Sequence, residues 1–263
     1  MSQEIKIQTM AELAAKGEKP EVLFWVGCIG SFDDRAKKVT RAFAKILNAA
    51  GVKFAVLANE ESCTGDPARR AGNEFLFQMQ ALQNITVLNG YGITRIVTTC
   101  PHCFNVMKNE YPVLGGHYEM MHHSQFINQL LKEGRIKVEG GKFEGKTITY
   151  HDPCYLGRGN NEYEAPRAIL ETLDTAIVEM KRSKEKALCC GAGGAQMWKE
   201  SEPGNKEVNV ERSEEAVGTG AKIVAVACNF CNTMLTDGVK HLGKESDVQV
   251  KDISELIAEA NKL

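Results

Sequence analysis

The sequence lacks long apolar runs, and it lacks an excess of charge of either sign. Its longest strongly apolar segment, VLFWVGCIG (residues 22–30), is well short of the roughly 18 residues that a membrane-spanning helix requires. The 32 Lys and Arg residues nearly balance the 34 Asp and Glu residues, so the charge predicts neither a nucleic-acid partner nor an anionic membrane surface. The segment over residues 1–20 mixes charges and has no apolar signal core, and we therefore expect a cytoplasmic protein without a direct membrane span.

Two cofactor-binding motifs are also missing. The segment GCIGSFDDR (residues 27–35) does not have the G-x-G-x-x-G spacing of a dinucleotide-binding loop, so no nucleotide is predicted. The chain also has no C-x-x-C-x-x-C-x-x-x-C-P run, the motif that holds ferredoxin clusters. If ferredoxin-type clusters are needed, we expect them on a separate subunit.

Cysteine, in contrast, is abundant, with nine residues in a compartment expected to be reducing. Disulfides rarely persist there and an odd number cannot all pair, so metal ligation or redox chemistry is favoured. For an isolated cysteine the alternative is packing as a small hydrophobic residue. The spacing of these nine argues against that alternative.

The cysteines form an internal repeat. Their positions are Cys28, Cys63, Cys100, Cys103, Cys154, Cys189, Cys190, Cys228 and Cys231. The separation of Cys28 from Cys63 equals that of Cys154 from Cys189, and each half ends in a C-x-x-C. The segments GITRIVTTCPHCFNVM (residues 92–107) and GAKIVAVACNFCNTML (residues 220–235) match when Cys100 is aligned with Cys228. Several matches in the same order indicate duplication.

Short β-branched segments alternate with longer segments at helical spacing in each half. EVLFWVG and ITRIVTT predict buried strands, as AKIVAVA does in the second half. Residues 66–88 predict one long helix, with Asp66 as its cap and Pro67 at its first position. Strands separated by helices predict parallel βαβ units, so we expect an α/β fold made of two tandem Rossmann-like repeats related by a pseudo-twofold axis.

This pattern divides the chain into three segments. We expect an N-terminal extension over residues 1–20, a first repeat over 21–140 and a second repeat over 141–263. The connection EGRIKVEGGKFEGK (residues 133–146) is rich in glycine and charge, which predicts a hairpin between the repeats.

Four cysteines directly follow predicted strands, namely Cys28, Cys100, Cys154 and Cys228. Ligands of open parallel sheets bind beyond the carboxyl ends of the strands, and the turns that carry the other cysteines should reach the same edge. We therefore expect one metal centre in each half. Candidate ligands are Cys28, Cys63, Cys100 and Cys103 in the first half and Cys154, Cys189, Cys190, Cys228 and Cys231 in the second.

The two ligand sets differ by one thiolate. Zinc takes four ligands in a closed tetrahedron, whereas five thiolates favour an iron–sulfur cluster with its several irons. We expect a cluster in the second half, while the four cysteines of the first half suit either zinc or a cluster. Gly191, Gly193 and Gly194 follow the cysteine pair and would leave room for a cluster and point backbone N–H groups at its sulfides.

The complete pattern resembles the cysteine-rich CCG domain family. HDPCYLGR (residues 151–158) and CCGAGG (residues 189–194) are close to that family's motifs, and the resemblance covers about residues 20–263. The family includes the B subunit of heterodisulfide reductase and iron–sulfur subunits of glycolate, lactate and anaerobic glycerol-3-phosphate oxidation. The resemblance implies that a complete five-cysteine motif holds a noncubane [4Fe-4S] cluster, at which a disulfide substrate is cleaved.

By that resemblance, the second half carries the active cluster, with Cys189 and Cys190 at the site of catalysis. The first half departs from the motif, because in EESCTGD (residues 60–66) Ser62 stands where the first of the paired cysteines is expected. A second, plainer [4Fe-4S] cluster, a zinc ion and a noncubane cluster with an oxygen ligand are the alternatives there. We expect an electron-relay or structural site.

Histidines near the motifs are further candidates. His151, three positions before Cys154, is a candidate catalytic residue that either protonates a leaving thiolate or hydrogen-bonds to cluster sulfides. The alternative is that this segment only shapes a turn. His122 and His123 open a predicted helix, where capping or a surface position is expected, and Trp25 is expected to serve packing.

The leading interpretation is an enzyme, an iron–sulfur oxidoreductase subunit of the heterodisulfide reductase B type. It would move electrons between a ferredoxin-like partner and a disulfide-like or quinone-linked acceptor. A flavoprotein or a membrane quinone-reactive subunit is a further expected partner, which would place the protein at the periphery of the inner membrane. The alternatives are a purely electron-transferring subunit of a respiratory dehydrogenase and a non-enzymatic protein with two zinc sites.

Overall fold

Two parallel β-sheets, one in each half of the chain, form the frame of the protein. The computed structural model describes residues 5–139, 141–201 and 203–263. The strands of the first sheet are β1 (Gln8–Thr9), β2 (Val22–Trp25), β3 (Phe54–Val56), β4 (Arg95–Thr98) and β5 (Glu119–His122). Those of the second sheet are β6 (Thr147–Tyr150), β7 (Ala176–Ile177), β8 (Ile223–Val226) and β9 (Gln249–Asp252).

The strand order is the same in both sheets apart from one added edge strand. The first sheet runs β1-β3-β2-β4-β5 and the second runs β7-β6-β8-β9, and every strand pair is parallel. Thus β2, β3, β4 and β5 correspond to β6, β7, β8 and β9. The predicted α/β class with two parallel-sheet repeats is confirmed.

Helices connect and cover the strands in both halves. In the first half they are α1 (Met10–Ala15), α2 (Gly27–Phe32), α3 (Asp34–Ala49), α4 (Asp66–Arg70), α5 (Glu74–Gly90), α6 (Pro101–Asn109) and α7 (His123–Lys132). In the second half they are α8 (Gly157–Asn160), α9 (Glu164–Glu171), α10 (Val208–Gly218), α11 (Asn229–His241) and α12 (Ile253–Ala260). Short 3-10 turns lie at Ala58–Glu60, Tyr111–Leu114, Lys184–Lys186 and Gln196–Trp198. No helix in the described part of the chain is both long and apolar enough to cross a membrane.

The helix predicted over residues 66–88 is two helices, α4 and α5, separated by a turn at Gly72. Asp66 is not the cap of α4, because the preceding residue, Gly65, holds that position with φ of +88°. A Cβ at Gly65 would lie 2.8 Å from the ring of Phe77, so both backbone conformation and space require glycine. The Asp66 carboxylate is therefore available to side chains, and it contacts Arg70 and His102.

The two halves pack against each other in a reciprocal way. Helix α3 of the first half packs on α12 of the second, and its counterpart α9 packs on α7, the counterpart of α12. Arg35 of α3 donates two hydrogen bonds, of 2.7 and 2.6 Å, to the carboxylate of Glu255 in α12. Such an exchange of equivalent contacts is what a twofold relation between repeats produces.

The two segments outside the shared frame differ from expectation. Of the extension expected over residues 1–20, residues 1–4 lie outside the described part, and β1 joins the first sheet beside β3. The connection over residues 133–139 and 141–146 contains no strand, so the hairpin prediction is wrong, with Gly140 outside the described residues. Ile136 and Phe143 bury their side chains, and this packing fixes the connection instead of strand pairing. The boundaries of the repeats stay a prediction.

Candidate metal centres

The two C-x-x-C motifs lie at the amino termini of equivalent helices. Cys100 occupies the N-cap position of α6, two residues after β4, and Cys228 occupies that of α11, two residues after β8. Cys103 and Cys231 follow one turn later, and all four side chains are buried. Helix amino termini carry partial positive charge, which favours the thiolate form that binds metals. Hydrogen bonds with neighbouring thiols, and then burial, act in the opposite direction and raise the pKa of Cys103 and Cys231.

The loop cysteines Cys63 and Cys189 also occupy equivalent positions. The Gly65 N–H donates to Cys63 Sγ at 3.4 Å, and the Gly191 N–H donates to Cys189 Sγ at 3.3 Å. Both glycines have positive φ, +88° and +93°, which turns the backbone N–H towards the sulfur. Because the two turns match residue by residue, Cys63 is the counterpart of Cys189.

The residue that replaces the missing cysteine is consequently Thr64, not Ser62. Thr64 Oγ1 donates to Cys103 Sγ at 3.6 Å, just as Cys190 Sγ lies 3.3 Å from Cys231 Sγ. Ser62 instead donates its hydroxyl to Asn84 Oδ1 at 2.9 Å. The prediction for Ser62 is wrong, and the signal is present in the sequence, since C-T-G aligns with C-C-G once the glycine is used as the anchor.

In the first half the four cysteines line one cavity. Its walls are formed by Cys28, Cys63, Cys100, Cys103, His102 and Phe230, among others. A hydrogen bond from the thiol of Cys28 lowers the pKa of Cys63 to about 7, and the same interaction raises the pKa of Cys28. The cavity therefore contains a sulfur that ionises near neutral pH, as a metal ligand must.

In the second half hydrogen bonds link the five thiols into one continuous series. Hydrogen bonds from Cys154 and Cys190 lower the pKa of Cys189, and the same hydrogen bonds raise the pKa of both partners. Burial raises the pKa of Cys228, but hydrogen bonds from Cys231 and His102 outweigh it and bring the value to about 5. The structure thus brings together all five predicted ligands of this half.

His151 faces two of these sulfurs. Its ring nitrogen and the sulfurs of Cys190 and Cys231 lie within 4.8 Å of one another. Arg212 Nε donates to His151 Nδ1 at 3.0 Å, so the ring must be neutral and must carry its proton on Nε2. Burial and the charge of Arg212 lower the pKa of His151 to about 3, in keeping with the neutral ring.

The buried Nε2–H of His151 has no hydrogen-bond partner within the described chain. Leaving such a donor unpaired costs about 1–3 kcal/mol. A sulfur-rich group held by the five cysteines would supply the missing acceptor, so the residues present fit an iron–sulfur cluster. A neutral N–H is not an effective acid at neutral pH, and the hydrogen-bonding role of His151 is favoured over proton transfer.

The two centres approach each other at the third residues of the C-x-x-C motifs. The rings of His102 and Phe230 have centroids 4.6 Å apart, and His102 Nδ1 lies 2.9 Å from a carboxylate oxygen of Asp66. Although burial lowers the pKa of His102, hydrogen bonds to Asp66 and Cys228 raise it to about 10. A residue of the first motif therefore places positive charge beside a cysteine of the second.

The glycines after Cys190 differ in their surroundings. A Cβ at Gly191 would lie 3.3 Å from Val208, whereas Gly193 and Gly194 have open space around them. Contact of these two glycines with a cofactor stays a prediction. A cleft begins at Gly191 and continues between Met197, Asn209 and Met234, so the Cys189–Cys190 turn borders open space.

A family model described as the cysteine-rich domain CCG matches residues 22–108 and again residues 148–236. The first match contains Cys28, Cys63, Cys100 and Cys103, and the second contains the other five cysteines. The chain belongs to the cysteine-rich CCG domain family. The predicted family is confirmed.

This CCG chain is similar to three named proteins. It is 44% identical over 256 residues to the probable iron-sulfur-binding oxidoreductase FadF of Bacillus subtilis, covering 97% of this chain and 36% of the relative. It is 40% identical over 254 residues to the EtfAB:quinone oxidoreductase of Syntrophomonas wolfei, covering 94% and 35%. It is 37% identical over 254 residues to the D subunit of the dihydromethanophenazine:CoB--CoM heterodisulfide reductase from Methanosarcina barkeri, covering 92% and 59%.

The CCG chain spans between 35% and 59% of the length of these relatives. Among solved structures, a hypothetical protein from Helicobacter pylori matches with a TM-score of 0.60 at 8% identity, over 92% of this chain and 49% of that one. At this identity the likeness concerns the fold alone.

Proposed function

We propose that this CCG chain is the cluster-carrying part of an iron–sulfur oxidoreductase of the heterodisulfide reductase type. The observation that carries the proposal is the convergence of five thiols in the second half, with the sulfurs of Cys190 and Cys231 3.3 Å apart. A zinc ion is bound by four ligands, which leaves a fifth thiolate unused. A cluster with several irons can bind all five. The names of the relatives support the same class of chemistry.

The residues of the second half, together with His102 of the first half, would each have a separate role at the cluster. Cys154, Cys189, Cys190, Cys228 and Cys231 would hold a noncubane [4Fe-4S] cluster, which when bound supplies one-electron chemistry. The Gly191 N–H stabilises the charge on Cys189, and His102 does so for Cys228. The Cys189–Cys190 turn borders the cleft at Gly191, so a substrate would approach there.

The first half would serve as a relay or structural centre. Its four cysteines line a cavity, and Thr64 contributes only a hydroxyl where Cys190 contributes a thiol. A [4Fe-4S] cluster and a zinc ion both match four thiolates. The contact between the rings of His102 and Phe230 supports this role, because it connects the C-x-x-C motifs of the two halves at short range, as a relay would require.

We further propose a disulfide-like or quinone-linked acceptor and a ferredoxin-like iron–sulfur partner. Relatives named as part of a heterodisulfide reductase and as a quinone oxidoreductase support these acceptor classes. A flavoprotein or a membrane quinone-reactive subunit would complete such an assembly. With a quinone-linked acceptor the chain would work on the cytoplasmic side, at the periphery of the inner membrane.

The decisive measurement is iron, acid-labile sulfide and zinc per chain on anaerobically purified protein, with EPR spectra of the oxidised and reduced states. We expect about four irons or more per chain with matching sulfide. Cys190→Ser should alter the signal of the active cluster, whereas the matched variant Cys63→Ser should leave that signal in place. Zinc without sulfide, even after reconstitution, would overturn the redox function and leave a duplicated zinc protein.

A purely electron-transferring subunit is the second candidate, and access to the active centre separates the two. The cleft at Gly191 favours the enzyme. Adding a small organic disulfide to the reduced protein should change the EPR signal that depends on Cys190. An unchanged signal, together with normal electron uptake from a reduced ferredoxin, would favour the relay.

A further inference from the structure

Trp25 and His151 are equivalent residues of the two repeats. In the first sheet Phe24 is paired with Val97, and in the second Tyr150 is paired with Ala225, which is the counterpart of Val97 when Cys100 is aligned with Cys228. Trp25 and His151 each come next, three positions before the first cysteine of their motif. Because strand register fixes which face a side chain points to, both rings project from the same face of their sheets.

Both rings bury an N–H that has no partner within the described chain. Trp25 Nε1 and His151 Nε2 are unpaired, and both residues are 0% exposed. A buried donor without a partner destabilises the folded state, so two such donors at equivalent positions call for a common explanation. For His151 the sulfurs of Cys190 and Cys231 are the neighbouring acceptors.

Arg212 contacts the His151 ring, and the equivalent position of the first half holds a different residue, Asn84. Arg212 precedes Cys228 by the same separation as Asn84 precedes Cys100, and both residues are fully buried. Arg212 donates to His151 Nδ1 and so keeps the ring proton on Nε2. Indole has a single nitrogen, which is always a donor, so Trp25 needs no such residue. Asn84 instead donates to the Cys63 carbonyl and to the hydroxyl of Tyr111.

We propose that Trp25 and His151 each donate a ring N–H hydrogen bond to a sulfur atom of the iron–sulfur cluster in their own half. Arg212 is the positioning residue that holds the His151 donor in place. The inference rests on the proposed function, because a cluster provides the acceptor. Hydrogen bonds to cluster sulfurs stabilise the more negative, reduced state and so raise the reduction potential.

The test compares full-length, iron-loaded variants by redox titration and by ENDOR spectra in H₂O and D₂O. His151→Phe should remove one exchangeable-proton coupling from the Cys190-dependent signal and make its midpoint potential more negative. Trp25→Phe should do the same to the other signal alone. His151→Gln keeps an N–H donor and should restore part of the shift, Arg212→Met should give an intermediate shift, and the exposed control His117→Phe should give none.

Each result bears on one claim. Loaded His151→Phe with an unchanged coupling and potential overturns the inference while leaving the proposed function intact. Zinc in the first half overturns the Trp25 part. If His151→Phe loses its iron, the loaded His151→Gln and Arg212→Met variants decide in its place. Wild-type protein without iron and sulfide overturns the proposed function itself.

Discussion

At the turn after the second cysteine position, the first half places a threonine hydroxyl against Cys103, and the second half places a thiol against Cys231. Around this single difference the backbone is the same, from the strand register to the glycine with positive φ. The duplication has thus kept the frame and changed the side chain at one position of the predicted ligand set.

The buried polar groups of the two halves have diverged much further. Among the described residues, eight buried side-chain nitrogen or oxygen atoms have no hydrogen-bond partner, and seven of them belong to the second half. Unpaired buried polar groups are costly and are concentrated where a protein sacrifices stability for function. The comparison therefore favours the second half as the active centre on grounds that are independent of the cysteine count.

The largest effect should come from making the second half resemble the first. Cys190→Thr removes the fifth thiol while keeping a small hydroxyl at the position of Thr64. We expect loss of the Cys190-dependent EPR signal and a fall in turnover of at least about 100-fold, the upper range for changes around a metal. The reverse change, Thr64→Cys, should give the first centre a signal like that of the second. Unchanged turnover in Cys190→Thr would contradict the assignment.

A buried ion pair of the second half should give the largest stability effect. The Asp152 carboxylate accepts from Arg167 Nη1 and Nη2 at 2.8 and 3.0 Å, whereas the first half has apolar Val26 at this position. Asp152→Asn removes one of the two carboxylates that pair with Arg167, because Glu179 keeps its own hydrogen bonds to the guanidinium, and should cost about 2 kcal/mol. Circular dichroism melts should show a lower Tm. The control Asp34→Asn breaks an exposed pair with Lys37 and should barely shift it; equal shifts would refute the argument.

Equivalent helix caps should differ in their response to pH. His122 caps α7 and Asp252 caps α12, and the two are joined through His123, whose Nδ1 lies 3.1 Å from His122 and whose Nε2 lies 3.0 Å from Asp252. Burial, and then the neighbouring His123, lower the pKa of His122 well below 6.5. Below pH 6.5 the unfolded chain therefore binds a proton at His122 that the folded chain does not bind. The stability of the folded state should fall as the pH drops below 6.5.

The contribution of His122 is at most about 1.4 kcal/mol per pH unit. His122→Asn keeps a capping oxygen and should reduce the slope of unfolding free energy against pH between about 6.5 and 5, measured by denaturant titration. Ser124, which contacts His122, and Asp252, which contacts His123, are unchanged in the variant. An identical slope in both proteins would exclude His122 as the source.

The smallest effect is expected at Ser62. From the cysteine motif alone, this residue is predicted to occupy the position of the missing cysteine. Ser62→Ala removes one hydrogen bond to Asn84, so we expect a loss of about 1 kcal/mol and unchanged iron content. Thr64→Val, in contrast, should perturb the signal of the first centre with little loss of stability. Metal analysis and EPR check both, and a loss of iron in Ser62→Ala would restore Ser62 as a candidate ligand.

Much of the frame can be predicted because it depends on local patterns. The apolar segments before Cys100 and Cys228 are strands, and the helices after them begin at those cysteines. The break between α4 and α5 is hidden, because Gly72 sits inside an otherwise continuous helical pattern. The connection after α7 is hidden too, because the burial of Ile136 and Phe143 cannot be inferred from its glycine and charge content.

The sequence alone determined the duplication, the parallel α/β class and the gathering of cysteines at the strand ends, because strand periodicity and motif spacing are properties of the chain itself. Only the tertiary structure decided which side chains surround them. The burial of His122 and His123, the contact of His102 with the second centre and the Arg212–His151 bond all depend on packing between distant segments. Such contacts follow from how segments far apart in the chain pack together, within one half or between the two, and no local pattern records that.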